Sequence, residues 1–576
     1  MRENNIYINN IHLTRRGGGN NSNGIRFSIT DVSPPTARLM PTVFQDRAGI
    51  SLYDAQFSTQ NGQNTRGPIP ASTIEEVVQA LERFQVTCDD FGVPAGNVYV
   101  LATEATRTAP NSAELRACIQ ARTGWEVRML SKEEEGRIGA LGIASSGHAL
   151  AGLAMDLGGG STQITWVVED AGMVRTSPRG SFSFPYGAAA LAMRLGEASG
   201  KGGKGKGKME AELREEMRRN FRNAYRDLEI PVSLLEAAER KGRFDLYLCG
   251  GGFRGWGYML MSQSKVNPYP IPIINGYRAS QKDFHDTAAV LETASESDVK
   301  VFGVSKRRVS QIPAVALLVD VIMDALPAIT HIQFCQGGVR EGFLFDRLPQ
   351  EIRAEHPLLA ATSPYAPPSA DAIRGLLQSA LPTSPSPRTS LQPPESFNNY
   401  LLGALANLLY AHSHVYRASQ SAAALHCTTT GILSSTNCLT HVDRALLALI
   451  LCERWAGDLP PSDQAYYRQL SRCVSAQERW WCQYLGRIAT LIGAVYPAGR
   501  IPEACWRIRF ETTWTSVSKK KGTHDILHVR VKCNEEDRTT SAMQAMVRDQ
   551  TEDIEKLGKK KNWIEEYGVR VGFDIC

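Results

Sequence analysis

Asp156 ends an apolar run, Leu153-Ala154-Met155, and is followed by Leu157, then Gly158, Gly159 and Gly160, then Ser161, Thr162 and Gln163. Apolar residues resume at Ile164, Trp166 and Val167. The spacing predicts a strand, a tight turn and a second strand. Glycine carries no Cβ and accepts positive φ, so a turn of three glycines lets an anion approach the backbone N–H groups. Ser161 and Thr162 add hydroxyl donors. Asp156 can hold a hydrated Mg²⁺ that bridges to phosphate oxygens. The chemistry is phosphate binding, although a Gly-Gly-Gly turn alone reads equally well as a plain hairpin.

Further groups could join it. Gly250-Gly251-Gly252 follows a predicted strand, Asp245–Cys249, and reads as a second glycine turn. Glu135 lies in the first turn of a helix that Ser131 would cap, with Glu134 at capping-box spacing. A carboxylate there can take a proton from an attacking water; it is also what the helix dipole favours at that end. Arg107 can pair with a phosphate or with a carboxylate such as Glu135.

Four segments in order carry a resemblance: Ala102–Arg107 with Asn111, Leu130–Arg137, Asp156–Thr162 and Gly338–Gly342. Together they resemble the Ppx/GppA family of exopolyphosphatases and guanosine-pentaphosphate phosphatases, within the actin, sugar-kinase and Hsp70 fold group. The resemblance spans roughly residues 20–350. Ile25–Ile29 and Gln45–Leu52 are most similar to the family's fungal regulatory branch. The resemblance implies that Glu135 occupies the general-base position, that Gly158–Thr162 cradle phosphate, and that Gly250–Gly252 contact a nucleotide. Ser22 and Asn23 match the end of the family's first phosphate loop, Asp-x-Gly-Ser-Asn.

The departures from the family pattern concern acidic residues. The family has Glu where Gln163 stands, and an amide has no charge with which to support a metal. Gly19 falls at the first loop's Asp, and Asn21 at its Gly. The strand before that loop is expected to be missing, since Ile6, Ile8 and Ile11 lie at the wrong distance. Either the first loop has decayed, or residues 1–21 are not the native start of the domain. Of three acidic metal partners only Asp156 is left, so Mg²⁺ would depend on the phosphates of an ATP or polyphosphate ligand.

Around these residues the chain alternates strand and helix. Ile25–Val32, Val98–Ala102, Glu126–Leu130 and Ile332–Cys335 read as strands. Ser72–Phe84, Ser112–Arg122 and Pro313–Leu326 read as helices. That alternation argues α/β. Lys201–Lys208 reads as a solvated loop. Residues 363–394, rich in Pro and Ser, read as a linker with a short helical piece, Ala370–Leu381. Helical patterns follow at Phe397–Arg417, Asp443–Trp455, Ser462–Cys473 and Ala476–Val495, then a β-β-α-β tail. His412, His414, His441 and Asp443 invite a metal reading, but packing and capping roles fit them better, because no His-Asp pair occurs.

The 576 residues are 43% hydrophobic and 21% charged, with a net charge of +5 and 12 scattered cysteines without a Cys-x-x-Cys. This is ordinary for a globular protein and argues for neither nucleic acid, zinc nor a disulfide frame. No apolar run reaches the ~18 residues of a membrane span, and the N-terminus does not read as a signal peptide.

The expected fold is two actin-like α/β lobes with a cleft: residues 1–150 (1–24 atypical) and 151–350. A linker (363–394), a helical domain (395–500) and a small α+β unit (501–576) follow. The expected function is a cytoplasmic sensor that binds ATP or a polyphosphorylated ligand and signals to protein partners. Resemblance to the regulatory branch implies mitochondria-to-nucleus signalling. The alternatives are an active exopolyphosphatase or pppGpp-type phosphatase, and a ligand-free scaffold. A homodimer is left open; neither membrane nor direct nucleic-acid binding is expected.

Overall fold

Two sheets in the chain share one topology. The first is built from β1 (Tyr7–Leu13), β2 (Ile25–Asp31), β3 (Thr42–Ala48), β4 (Val98–Ala102) and β5 (Val127–Met129), in the order β3-β2-β1-β4-β5. Strands β1 to β3 form an antiparallel meander, β4 runs parallel to β1, and β5 runs parallel to β4. The second contains β6 (Ala151–Leu157), β7 (Thr162–Asp170), β8 (Met173–Thr176), β9 (Phe182–Phe184), β10 (Phe244–Cys249), β11 (Arg278–Ser280) and β12 (Ile329–Phe334). Its order β8-β7-β6-β10-β12 repeats the first sheet, strand for strand and direction for direction. Strand β11 extends its edge and β9 pairs with β7. These are the two actin-like lobes.

This computed structural model describes all residues except 1–6, 14–24, 51, 53, 61–62, 200–202, 296–299, 383–387, 503–505, 520–521 and 535–539. It divides into two compact units, residues 1–264 with 273–357, and residues 265–272 with 358–576.

Strand β1 corrects the expectation of a missing first strand. It lies at the centre of its sheet, between β2 and β4, and Leu13 stands opposite Ile25. Residues 14–24 therefore connect β1 to β2 just as residues 158–161 connect β6 to β7. The sequence distance misleads because the connection is long, and a longer loop costs little free energy. Gly19, Asn21, Ser22 and Asn23 fall in this connection, outside the described residues.

Helices α1 (Ala71–Asp90), α2 (Ser112–Thr123), α3 (Lys132–Ser145), α4 (Ala188–Ser199), α5 (Gly250–Ser262), α6 (Lys306–Ala325) and α7 (Val339–Arg347) belong to the first unit. Ile74, Val77, Val78, Leu81 and Phe84 recur at helical spacing on α1 and bury against Ile25, Phe27 and Ile29, the alternate residues of β2. The predicted capping box of α3 is present: Glu134 N–H donates to Ser131 Oγ and Ser131 N–H to the Glu134 carboxylate, each at 3.1 Å. Helices α3 and α7 cross through glycines. A Cβ on Gly142 would stand 2.2 Å from the Gly338 carbonyl oxygen, and one on Gly342 would stand 1.9 Å from that of Ile138.

Several boundaries differ from the sequence reading: Lys201–Lys208, read as a solvated loop, lies largely within a helix, Gly203–Asp227, and two further differences bear on the site. Helix α6 begins at Lys306, behind a Ser305 cap, and carries Pro313 inside it. An internal proline costs ~3 kcal/mol, which the burial of Ile312, Val315, Leu318, Val319 and Ile322 offsets. Gly250–Gly252 form the first turn of α5 rather than a free turn.

The second unit holds α8 (Ala370–Ser379), α9 (Asn399–Leu408), α10 (His441–Arg454), α11 (Ala476–Val495) and a sheet of β13 (Ile508–Lys519), β14 (Gly522–Cys533) and β15 (Arg570–Ile575), with α12 (Thr540–Leu557) between β14 and β15. In the stretch read as a linker, α8 buries Ile373 and Leu377. The tail packs on the helices: Trp480 Nε1 donates to the Leu557 carbonyl at 3.5 Å, and Trp481 Nε1 to the Tyr567 hydroxyl at 3.1 Å. No helix among the described residues is long and apolar enough to cross a membrane.

Candidate anion-binding cleft

The strand–turn–strand of Asp156–Gln163 is formed as predicted, with Asp156 opposite Gln163 and Leu157 opposite Thr162. The turn is closed by Gly158 N–H donating to Ser161 O at 3.0 Å. The Gly158 carbonyl accepts from Ala188 N–H at 3.0 Å, and the Gly159 carbonyl accepts from Ala189 and Ala190 at 2.9 and 3.0 Å, at the start of α4. With its carbonyls tied down, the turn leaves the N–H groups of Gly159, Gly160 and Ser161 without an acceptor among the described residues. That is a row of donors suited to an oxyanion.

None of the three glycines has positive φ, which corrects the reason expected for them. What demands small residues here is close approach. A Cβ on Gly187 would stand 2.4 Å from backbone atoms of Gly159 and Gly160. Gly250, at φ +90°, would place one 2.1 Å from Asp156 Oδ1. The turn, the entry to α4 and the start of α5 thus touch backbone to backbone.

The two hydroxyls divide. Thr162 is buried and donates to the Tyr186 carbonyl at 2.9 Å, so it is not presented to a ligand, a correction to the expectation. Ser161 Oγ accepts from Gln163 Nε2 at 2.8 Å and keeps its own O–H to donate. Gln163 Nε2 also reaches Ser183 Oγ at 3.3 Å. Asp156 lies beside the Cys249 thiol, which burial, with the Asp156 charge adding to it, pushes well up. Among the described residues no three His, Cys, Asp or Glu side chains are grouped to hold a metal. Among the described residues the donor set does not fit an ion held by protein ligands alone.

Gly158 and Gly159 form one wall of a cleft of about 260 Å³, with Ala188, Gly251 and Gly252. Helix α5 has no side-chain cap on its first turn, so its N–H groups add to the positive end of the helix dipole. Arg254 Nε donates to the Gly250 carbonyl at 3.3 Å. The rest of the lining is Arg26, Arg47, Gly303, Ser305, Arg307, Arg308 and Gln311, with no Asp or Glu among them. Arg26 and Arg47 are partners across β2 and β3. Arg307 and Arg308 lie in the first turn of α6. Burial, then Arg307, lowers the Arg47 pKa. Burial, then Arg254, with Arg47 and Arg307 adding, lowers that of Arg308. The guanidinium groups are thus close enough to oppose one another's charge.

Glu135 and Arg107 are brought together, but not on the cleft lining. Arg107 donates through Nη1 and Nη2 to Glu135 Oε2, at 3.5 Å each, and through Nη1 to the Leu130 carbonyl. The next residue, Gly136, packs against the loop before β9: a Cβ there would stand 2.2 Å from Ser181 Oγ. Ser183, two residues on, bonds Gln163. Glu135, already carrying an arginine, therefore sits beside Gln163's own hydrogen-bond network.

The arginines Arg26, Arg47, Arg307 and Arg308 went unassigned in the sequence. A signal existed: basic residues in the first turn after the Ser305 cap, where acidic ones are favoured. Of the C-terminal groups, Asp443 completes a capping box with Thr440, and His441 Nδ1 bonds the Tyr269 hydroxyl at 2.7 Å.

Comparison with known proteins agrees with this architecture. Residues 30–351 match the Ppx/GppA phosphatase family, and residues 356–576 match the RTG2 C-terminal domain. The chain is 39% identical over 494 residues to Retrograde regulation protein 2 of Saccharomyces cerevisiae, covering 83% of this chain and 80% of that protein. It is 25% identical over 338 residues to Exopolyphosphatase 1 of Mycobacterium tuberculosis, covering 57% of this chain and 89% of that one. Among solved structures, the Ppx/GppA family member of Aquifex aeolicus aligns with a TM-score of 0.45 at 20% identity, over 60% of this chain and 97% of that one. The two family-model matches and the 39% identity to Retrograde regulation protein 2 establish the chain as a member of the Ppx/GppA phosphatase family that carries an RTG2 C-terminal domain.

Proposed function

We propose that the protein is a regulator whose cleft binds ATP or another polyphosphorylated ligand and reports its occupancy to signalling partners. The observation that carries the reading is the convergence of four arginines on the glycine turn, in a cleft whose described lining residues include no carboxylate. Such a cleft attracts several negative charges at once, as a chain of phosphates offers. Mg²⁺ enters only as the ligand's companion. Gln163 in place of a carboxylate and an arginine-bound Glu135 favour binding over turnover. Likeness to a protein named for retrograde regulation supports the regulatory role; the place proposed for it is signalling between mitochondria and nucleus, in the cytoplasm.

Calorimetric titration of the full chain with ATP and with inorganic polyphosphate tests this. Saturable binding that weakens with salt, and falls by about tenfold or more in Arg47→Ala, is expected. Absence of binding by both ligands, or equal affinity in the variant, would remove the cleft as the ligand site.

A further inference from the structure

The second unit buries an arginine whose guanidinium has no hydrogen-bond or ion-pair partner among the described residues. Arg454, the last residue of α10, keeps 8% of its surface exposed. Its Nε is fully covered and has no hydrogen-bond partner. No hydrogen bond or ion pair of its guanidinium is present among the described residues, in contrast to the fully buried Arg444, which donates to the carbonyls of Thr428 and Thr436. Burying an uncompensated guanidinium is among the most costly arrangements a fold can hold.

A second unsatisfied donor adjoins it. Trp455 Nε1 is buried and also lacks an acceptor. The Arg454 guanidinium carbon lies 4.3 Å from the centre of the Trp455 ring. The pair is held in place by its surroundings. The chain breaks sharply after α10, with Ala456 at φ 75° and Gly457 at φ 65°. Ser421 Oγ donates to the Trp455 carbonyl, and Thr490 Oγ1 to that of Arg454 at 2.9 Å. On α11, Gly493 is required by contact: a Cβ there would stand 2.0 Å from Arg454 Nη2. Tyr410, whose charged form would be the nearest compensation, is pushed by burial to about 12 and stays neutral.

The geometry points to an oxyanion site at Arg454 and Trp455, taking a carboxylate or phosphate group of a small molecule. The planar guanidinium offers a fork of donors, the indole N–H of the next residue is a further buried donor, and the ring backs the cation. An acceptor-only ligand would satisfy both orphan donors and supply the missing charge. This site is independent of the cleft between the lobes and does not rest on the function proposed for it.

The test is thermal unfolding and calorimetric titration of the full chain with inorganic phosphate and, separately, malonate. A saturable rise in Tm is expected with at least one of them, retained in Arg47→Ala and lost in Arg454→Met. A response to phosphate alone assigns a phosphoryl ligand, and one to malonate alone a carboxylate. Arg454→Lys keeps the charge but not the fork and should bind about tenfold more weakly. If Arg454→Met does not fold, Trp455→Phe replaces it: the ring stays, the donor goes, and affinity should fall several-fold. No saturable response to either anion in the parent, or an undiminished one in folded Arg454→Met or in Trp455→Phe, overturns the assignment.

Discussion

Arg26 and Arg47 stand directly opposite each other on neighbouring antiparallel strands. Both line the cleft that Arg307 and Arg308 enter from the start of α6. Like charges opposed across a ladder cost a few tenths to about 1 kcal/mol, and cations at a helix N-terminus work against its dipole. Rules of local stability broken twice at one place are what a site built for a polyanion would show.

Replacing one of these arginines should therefore separate stability from binding. Arg26→Ala is expected to leave Tm unchanged or slightly raised without ligand, while weakening ATP or polyphosphate by about 10- to 100-fold. Unfolding curves with and without ligand check this; a clear loss of stability without ligand would show that the arginine is structural.

Gly187→Ala should disturb the glycine turn without touching a ligand. Its Cβ would enter the space of the Gly159 and Gly160 backbone, so the turn must shift. Ligand affinity should fall by at least about tenfold, with a stability loss of roughly 1–3 kcal/mol. Unchanged titration curves in the variant would mean the turn does not set the affinity.

Gln163→Glu asks whether the missing charge limits chemistry. The side chain already bonds the hydroxyls of Ser161 and Ser183, and a carboxylate can accept from both, so the fold should hold. Release of phosphate from ATP or polyphosphate, in Mg²⁺, should rise by up to about 10²-fold. Glu135→Ala in the same background should abolish the gain. A phosphate-release assay that stays flat in a variant still able to bind ligand would place the block elsewhere, in the first loop or in cleft closure.

His356 gives a pH dependence with a defined sign. Burial first, then His148 and Arg38, lower its pKa from 6.5 to about 3. The folded protein thus keeps it neutral where the unfolded chain takes up a proton. Stability should fall as pH drops from about 6.5 toward 3. His356→Gln should flatten that part of the curve, read as denaturant midpoints against pH, and His412, lowered to about 4, should leave a residual slope. A variant with the parent's slope would exclude His356 as its source.

The sequence by itself determined the strand–glycine–strand of Asp156–Gln163, the Ser131–Glu134 cap and the helical face of α1. These depend on local spacing and on side chains a few residues apart, which chain geometry sets directly. Tertiary structure decided the rest. Only pairing with β2 and β4 gives β1 its place, because register is indifferent to the length of residues 14–24. Burial carries α6 past Pro313 and so puts Arg307 and Arg308 at the cleft. The glycines at 187 and 250 are needed for backbone contacts with residues far away in sequence. Arg454 and Trp455 look like an ordinary helix end until their burial shows two donors without an acceptor. Desolvation is a property of the packed state, and no spacing along the chain encodes it.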